Sequence, residues 1–348
     1  MRSSSVVRST QHNPYENLAL EEYLRRTRGS SSPLLYLWQN EKTVVFGRNQ
    51  NPWRECRLDL LKKEGGLPAR RATGGGAVFH DLGNLNFTFI LPTPLFDISR
   101  QVSVIAKALK QFGIATEQSG RNDLLAGGAK FSGNAWYKAR DASYHHGTLL
   151  VKVDMPFLGR YLQVSPAKLR SKGITSVQSR VINLASLRED LTIEALSEAL
   201  ARAFREEYHL PPQPLLDVHP QDLRQDPLFE ELREHFAGES WIFGNSPSFD
   251  LVLENRFAWG GLELLISSAK GNITSLAINS DALEMEAVGT IPPLLEGSPF
   301  QPPLMGERLL SHAQTLPPGE GREILKEIAL WLLSGPLHEN PGEPPFDV

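Results

Sequence analysis

The chain has 348 residues, 41% apolar and 22% charged, with a formal net charge of −4. That length supports a sizeable core and suggests two domains. The charge balance gives no case for nucleic acid, the sequence offers no run of 18 apolar residues for a membrane span, and the single cysteine, Cys56, excludes an intrachain disulfide.

In chain order, residues 15–28 read as a helix opened by Asn13-Pro14. Residues 34–38 and 43–48 read as strands, with Asn40-Glu41 as the turn. Ile98, Val102, Ile105, Ala106, Leu109 and Phe112 recur at helical spacing, and Gly113 closes that helix. Gly127-Gly128 is a hairpin turn between 123–125 and 130–132, and residues 144–153 end as an alternating strand. Ile193, Leu196, Leu200, Ala203 and Phe204 give a second amphipathic helix, whose apolar stripe is core. Pro211, Pro212 and Pro214 break the pattern, and Asn245-Ser246-Pro247-Ser248 reads as a linker. Residues 257–267 and 272–279 form an expected hairpin, residues 323–334 a last helix stopped by Gly335-Pro336. The proline-rich residues 336–348 are expected to be disordered.

The segment from Arg70 to Ile90 carries the most chemistry: a basic pair, Arg70-Arg71, runs through Ala72-Thr73 into Gly74-Gly75-Gly76, then a short apolar run and His80-Asp81. Glycines without Cβ let a backbone approach a ligand, and fixed cations beside them suit an anion. The bland reading is a loop with a solvated basic pair. It is neither a phosphate loop closed by Gly-Lys-Ser/Thr nor a Gly-x-Gly-x-x-Gly fingerprint. Lys130 follows the Gly127-Gly128 turn, where a short strand can aim it into a cleft; a solvated strand lysine is the plain alternative. His145 and His146 are adjacent on a strand and so face opposite ways, which argues against a shared metal. His80 is expected to pack against the glycine loop and one of His145 and His146 to line the pocket. Cys56 lacks an accompanying glycine loop or histidine, so an inert thiol is expected. Residues 271–348 carry 11 acidic and 3 basic side chains, net −8, which leaves +4 for residues 1–270. That mild asymmetry suits an acidic protein acceptor and an anionic nucleotide.

Taken together, Arg-Arg-x-x-Gly-Gly-Gly-x-Val-x-His-Asp-x-Gly-Asn from Arg70, Gly120-Arg121-Asn122-Asp123-Leu124, Lys130-Phe131-Ser132-Gly133, His145-His146-Gly147-Thr148-Leu149-Leu150 and Lys172-Gly173-Ile174-Thr175-Ser176-Val177 resemble the lipoate–protein ligase family. Residues 17–22, Asn51-Pro52-Trp53-Arg54-Glu55-Cys56 and Phe257-Ala258-Trp259-Gly260-Gly261 extend the resemblance. It implies an α+β fold: a biotin/lipoate ligase-type catalytic domain, a mixed sheet with helices, plus a small α/β C-terminal accessory domain. On this reading residues 1–244 are catalytic, 245–249 a linker, 250–335 the accessory domain and 336–348 a tail.

The resemblance implies ATP-dependent conversion of lipoate to lipoyl-AMP, then transfer of the acyl group to a lysine of a lipoyl domain. ATP and Mg²⁺ would be required, lipoate being a substrate, with no tightly bound cofactor. Lys130 would be catalytic, bridging the acyl carbonyl oxygen and α-phosphate. Arg71, Gly76, Ala77, Val78, Phe79, Asp123 and Lys130 would contact ATP and lipoyl-AMP. Arg71, Thr73, Gly75, Gly76, His80 and Lys130 would contact lipoate, and Asp123 is the candidate for magnesium. Loop 172–184 would close on the adenylate. Acceptors would be lipoyl domains of 2-oxoacid dehydrogenase acyltransferase subunits and the glycine-cleavage H protein, with no nucleic acid and no membrane. A cytoplasmic enzyme is expected; the basic, serine-rich first ten residues leave an organelle matrix as the alternative. The rival readings are a lipoyltransferase fed preformed lipoyl-AMP and a non-enzymatic lipoate- or octanoate-binding protein. A biotin ligase would need a different basic-glycine loop, and an octanoyltransferase a nucleophilic cysteine.

Overall fold

Asn84, Asn86 and Thr88 alternate with Leu85, Phe87 and Phe89, and every one of the six is buried. Period-2 alternation with no solvent face means a strand covered on both sides, apolar on one and polar on the other. That strand organises the main sheet. The computed structural model describes residues 4–120, 122–162, 181–243, 251–269 and 271–335. The expected loop 172–184 up to residue 180, Arg121, the linker 245–249 and the tail 336–348 lie outside the described residues.

The chain forms two compact units. The first comprises Met1–Phe46, Pro52–Ala72 and Ala77–Ile242. Its strands are β1 (Val6–Ser9), β2 (Leu34–Trp38), β3 (Thr43–Phe46), β4 (Leu67–Arg70), β5 (Val78–His80), β6 (Asn84–Pro92), β7 (Glu117–Ser119), β8 (Asp123–Ala126), β9 (Ala129–Tyr137), β10 (Ala142–Leu150) and β11 (Leu216–Val218). Its helices are α1 (Pro14–Arg28), α2 (Pro52–Glu55), α3 (Leu58–Lys63), α4 (Ile98–Lys110), α5 (Met155–Tyr161), α6 (Ile193–Glu207), α7 (Pro227–Ala237) and α8 (Glu239–Phe243). An eight-stranded sheet runs β11-β1-β2-β6-β10-β9-β8-β7, and a three-stranded sheet runs β4-β3-β5. The strands on either side of Asn40-Glu41 therefore do not pair as a hairpin: β2 joins the large sheet and β3 the small one.

The odd residues of β6 face a core that includes Leu35, Leu37, Val104, Ile105, Leu196, Leu200 and Phe204. Burial of each such aromatic or aliphatic side chain contributes about 1.5–3 kcal/mol. On the other side, α1 and α7 cover Leu34, Tyr36, Trp38, Ile90 and Tyr144. Helix α1 starts where the sequence puts it: the Asn13 side chain accepts from the backbone N–H groups of Tyr15 and Glu16, and Pro14 occupies the first turn.

The second unit comprises Gly47–Asn51, Thr73–Gly76 and Phe243–Val348. It carries β12 (Leu251–Phe257), β13 (Gly260–Ala269) and β14 (Asn272–Ser280), an antiparallel meander, followed by α9 (Met285–Gly289), α10 (Ile291–Leu295), α11 (Pro302–Thr315) and α12 (Glu320–Leu333). Its own core joins Leu253, Leu264, Ile266 and Ile278 to Met305, Leu309, Leu325, Ile328 and Leu332. Two short loops far upstream in sequence pack with this unit, which no local sequence pattern announces.

Candidate active site

Lys130 and Asp123 sit on the two arms of the β8–β9 hairpin. The turn glycines, Gly127 and Gly128, have φ of +57° and +79°, the left-handed pair that a two-residue hairpin turn requires. Asp123 pairs with Gly133 and Leu124 with Ser132, after which the register slips so that Leu125 pairs with Lys130. Phe131 is the extra residue, and its side chain goes into the apolar core with Leu124. This bulge puts Lys130 and Gly133, three residues apart, on one face. The Lys130 ammonium then lies 2.6 Å from Asp123 Oδ1, both side chains being only partly exposed. A Cβ at Gly133 would stand 3.1 Å from Lys130 Nζ, so the bare glycine gives the ammonium its room. Chain returning at Val181 and Ile182 docks on the same strand, with Ile182 N–H donating to the Lys130 carbonyl at 2.8 Å.

The even face of β6 continues this surface. In register, Thr148 lies opposite Asn86, which lies opposite Trp38; His146 lies opposite Thr88, which lies opposite Tyr36. Thr148 Oγ1 accepts from Gly133 N–H at 3.2 Å, tying the row to the hairpin. Glu21 reaches in from α1: Thr88 Oγ1 donates to its carboxylate at 2.7 Å, and His146 Nδ1 lies 2.8 Å from the same oxygen. Trp38 Nε1 donates to Thr88 Oγ1 at 3.0 Å. Asn84 and Asn86 are 0% and 1% exposed, and Asn84 Oδ1 and Asn86 Nδ2 find no partner among the described residues. An orphaned acceptor and an orphaned donor on one face fit a polar ligand.

Arg71 is buried, and its Nη1 donates to Val45 O at 3.2 Å. Burial pulls its guanidinium down to about 10, which still leaves it charged at neutral pH. His80 accepts from Asn40 Nδ2 through Nδ1 at 3.2 Å and meets Trp38 edge-on at 6.1 Å. Its proton therefore sits on Nε2, which has no partner among the described residues. Burial, then the Arg71 and His146 charges, hold it down to about 3, so it is neutral. Phe79 turns its ring into a cluster with Phe157 and Tyr161, so only its backbone is offered at the edge strand β5.

His145 points to the opposite face, as adjacent strand residues must. Its Nε2 is 2.9 Å from Asn134 Oδ1 and its Nδ1 2.9 Å from Gln101 Oε1. Asn134 Nδ2 already donates to Asn122 O and Ser132 Oγ, so Asn134 Oδ1 must accept from His145 Nε2–H, and a neutral ring then needs the Gln101 amide turned so that its NH₂ donates to Nδ1. Burial holds this ring down to about 3 as well. The chain His145–Asn134–Asn122 thereby props the start of the strand that bears Asp123. Glu21, Trp38, Asn86, Thr88 and Asn134 were not selected by sequence reasoning; the signal for Asn86 and Thr88 was the polar alternation of β6.

Arg70 departs from expectation. Its Nε and Nη2 donate to the carbonyls of Trp241 and Ile242 at 2.8–3.0 Å, and Trp241 Nε1 donates to Arg70 O. It caps the end of α8. The Cys56 thiol is buried and pushed up to about 12, which removes it as a nucleophile. Among the described residues no three His, Cys, Asp or Glu side chains gather to hold a metal, and no helix is long and apolar enough to cross a membrane.

In the second unit, Gly75 has φ +90° and its N–H donates to Ala282 O at 3.1 Å. A Cβ on Gly47 would lie 2.2 Å from Gly75 O. Thr73 is buried, and its carbonyl accepts from Arg48 N–H at 2.8 Å. Thr73 to Gly76 therefore group with this unit, while Arg71, Ala77, Val78, Phe79, His80, Asp123 and Lys130 belong to the first.

Residues 13–205 match the lipoyl protein ligase A/B catalytic domain family, and residues 246–327 match the bacterial lipoate protein ligase C-terminus. A lipoate-protein ligase A of Psychrobacter cryohalolentis is 42% identical over 287 residues, 81% of this chain and 85% of that protein. The crystal structure of P. falciparum LipL1 in complex with lipoate superposes with a TM-score of 0.81 at 29% identity, covering 94% of this chain and 99% of the other. A lipoate-protein ligase A bound with ATP gives 0.60 at 27% identity over 70% of this chain and 99% of the other. The first unit thus has the biotin/lipoate ligase catalytic fold, and the protein is an acyl-activating ligase. The chain belongs to the lipoate–protein ligase family, ATP-dependent enzymes that form lipoyl-lysine amide bonds.

Proposed function

We propose that this chain carries out both half-reactions, with Lys130 as the catalytic cation. A lipoate oxygen attacks the α-phosphorus of ATP, and pyrophosphate leaves with the bond it held. The ε-amine of an acceptor lysine then attacks the acyl carbon, loses a proton and expels AMP. Both the carboxylate and the triphosphate are anionic, so the first step needs fixed cations between them. The observation that carries the reading is the Lys130 ammonium, steered by the bulge and by Asp123 onto the polar face shared with Thr148, Asn86 and Trp38.

Arg71 adds a second cation, this one buried, that no pH near neutral removes. Neutral His80, with its N–H directed by Asn40, is a hydrogen-bond donor for the lipoyl chain rather than a base. The edge backbone of Ala77, Val78 and Phe79 and the bare Gly75 and Gly76 suit close main-chain contact with the adenylate. Magnesium requires oxygen ligands and usually takes one or two carboxylates beside substrate phosphates. The Asp123 carboxylate fits that role, and the ion would neutralise phosphate charge when bound. Lipoyl domains of 2-oxoacid dehydrogenase acyltransferase subunits and the H protein are the acceptors, and the cytoplasm is the compartment. The test is pyrophosphate release from ATP with lipoate, biotin or octanoate and no acceptor protein. Release with lipoate supports the reading; silence in that assay with transfer from supplied lipoyl-AMP would make the chain a transferase only.

A further inference from the structure

Gln101, His145 and Asn134 are three buried polar side chains on the side of the main sheet opposite Lys130. The His145 ring sits among apolar neighbours, with Phe87 edge-on at 5.5 Å and Phe89 at 5.9 Å. A polar row through such surroundings is costly unless each donor meets an acceptor. Asn134 donates twice to the Asn122 carbonyl, from Nδ2 at 3.0 Å and from its backbone N–H at 2.9 Å. Its Oδ1 accepts from His145 Nε2 at 2.9 Å, and the turned Gln101 amide donates to His145 Nδ1 at 2.9 Å. That turn puts the Gln101 oxygen where Nε2 would otherwise stand buried and without a partner among the described residues. The oxygen then faces the Tyr208 hydroxyl, which is buried and unpartnered in the same sense. The Tyr208 O–H donates to it, and both orphaned groups are satisfied. The Arg100 guanidinium, 4.6 Å over the Tyr208 ring, and Phe204 at 4.9 Å hold that ring. Every bond in the row therefore runs one way, from Tyr208 through Gln101, His145 and Asn134 to the Asn122 carbonyl. Gly147 leaves room for it, since a Cβ there would stand 2.8 Å from Asn134 Oδ1.

We propose that Tyr208, Gln101 and His145 are positioning residues for the activation step: acting through Asn134, they fix the Asn122 carbonyl and with it the Asp123–Lys130 pair from the far side of the sheet. The inference rests on Lys130 being the catalytic cation. Asn122 immediately precedes Asp123, and Asn134 immediately follows Gly133, the residue paired with Asp123. The Asn134 clamp thus closes the open end of the β8–β9 hairpin, on which Lys130 Nζ and Asp123 Oδ1 meet at 2.6 Å. His145 points away from the face of Thr148 and Asn86, so breaking the row should disturb the alignment of charge and leave contacts to substrate in place. A small misplacement of an aligned charge costs rate more than ground-state affinity.

The test uses the full chain with Gln101→Leu, Tyr208→Phe, His145→Leu and His145→Gln. It reads kcat and KM for pyrophosphate release from ATP and lipoate, with the thermal midpoint recorded alongside. Gln101→Leu and His145→Leu break the row and should lower kcat about tenfold or more, with KM for both substrates within about twofold of wild type. Tyr208→Phe keeps the ring and the fold and should lower kcat several-fold, so it decides the matter if Gln101→Leu fails to fold. His145→Gln retains a donor for Asn134 and an acceptor for Gln101 and should recover most of kcat. Nitrogen NMR of the wild-type protein should show the His145 ring protonated on Nε2 at neutral pH. Raised KM with unaltered kcat, kcat within about twofold of wild type in folded Tyr208→Phe, or a ring protonated on Nδ1 would overturn the inference. In a Lys130→Ala background, Gln101→Leu should slow release no further. A further loss there would overturn the inference and leave the role of Lys130 standing. Near-normal release by Lys130→Ala alone would sink the Lys130 reading, and this inference with it.

Discussion

Lys130 Nζ and Asp123 Oδ1 stand 2.6 Å apart across a hairpin whose register slips by one residue between them. The slip is what makes the pair possible, since a regular ladder would send Lys130 and the Asp123–Gly133 pair to opposite faces. The carboxylate orders the ammonium before any substrate arrives, and preorganised charge acts without reorganisation cost at the moment of reaction.

Asp123→Asn should therefore lower adenylation by about tenfold or more, through a less ordered Lys130 and a lost magnesium oxygen. Steady-state pyrophosphate release across a magnesium titration checks this. A shifted magnesium midpoint together with reduced maximal rate is expected; an unaltered curve would remove Asp123 from both roles.

Gly133→Ala places a methyl 3.1 Å from Lys130 Nζ and 3.3 Å from its Cε. The neighbour is the end of a flexible side chain, so the fold should hold, with thermal stability near wild type. The ammonium must yield by a few tenths of an ångström, which should reduce kcat for adenylation several-fold, a small displacement being costly where charge is aligned. Unaltered kcat would mean the Lys130 position tolerates such movement.

Gly75→Val should weaken lipoate and ATP together, because a β-branched residue at φ +90° is strained as well as bulky. Arg71→Ala should affect ATP more than lipoate. Calorimetry with each ligand separately distinguishes the two. Full affinity in the glycine variant would reduce the loop to a turn.

His80 and His145 are neutral in the fold, both held down to about 3 by burial against an unperturbed value near 6.5. The unfolded chain binds protons that the native state refuses between these values. Stability is thus complete above about pH 6.5 and falls as pH drops towards 3, by about 1.4 kcal/mol per unit for each ring. Urea midpoints at pH 7 and pH 5 should show the loss, and His145→Gln should flatten it. A pH-independent midpoint over that window would contradict the neutral assignment.

Much of the layout was legible because it is local. Asn13-Pro14 capped α1, Gly127-Gly128 turned the β8–β9 hairpin, and the apolar stripe from Ile98 buried Ile105 and Leu109 against the sheet, although Val104 and Ala108 rather than Val102 and Ala106 are the fully buried residues beside them. What failed to show was long-range. Nothing near Arg70 reveals that its guanidinium is taken by Trp241 and Ile242 carbonyls 171 and 172 residues away. Nor does Asn40-Glu41 reveal that the strands beside it join different sheets. Within the site, Lys130, Asp123 and Arg71 stood out as charges, whereas Glu21 and Trp38 lay in stretches that read as ordinary helix and strand. The bulge at Phe131 is invisible in composition, yet it sets which way Lys130 points.

The role of Lys130 is tested most directly by one comparison: pyrophosphate release from ATP and lipoate, without acceptor protein, by the wild-type chain and by Lys130→Ala. Loss of one preorganised charge should slow release by about a hundred- to thousandfold while the thermal midpoint stays near wild type. Near-normal release by a folded Lys130→Ala protein would contradict the role given to Lys130 and the mechanism built around it.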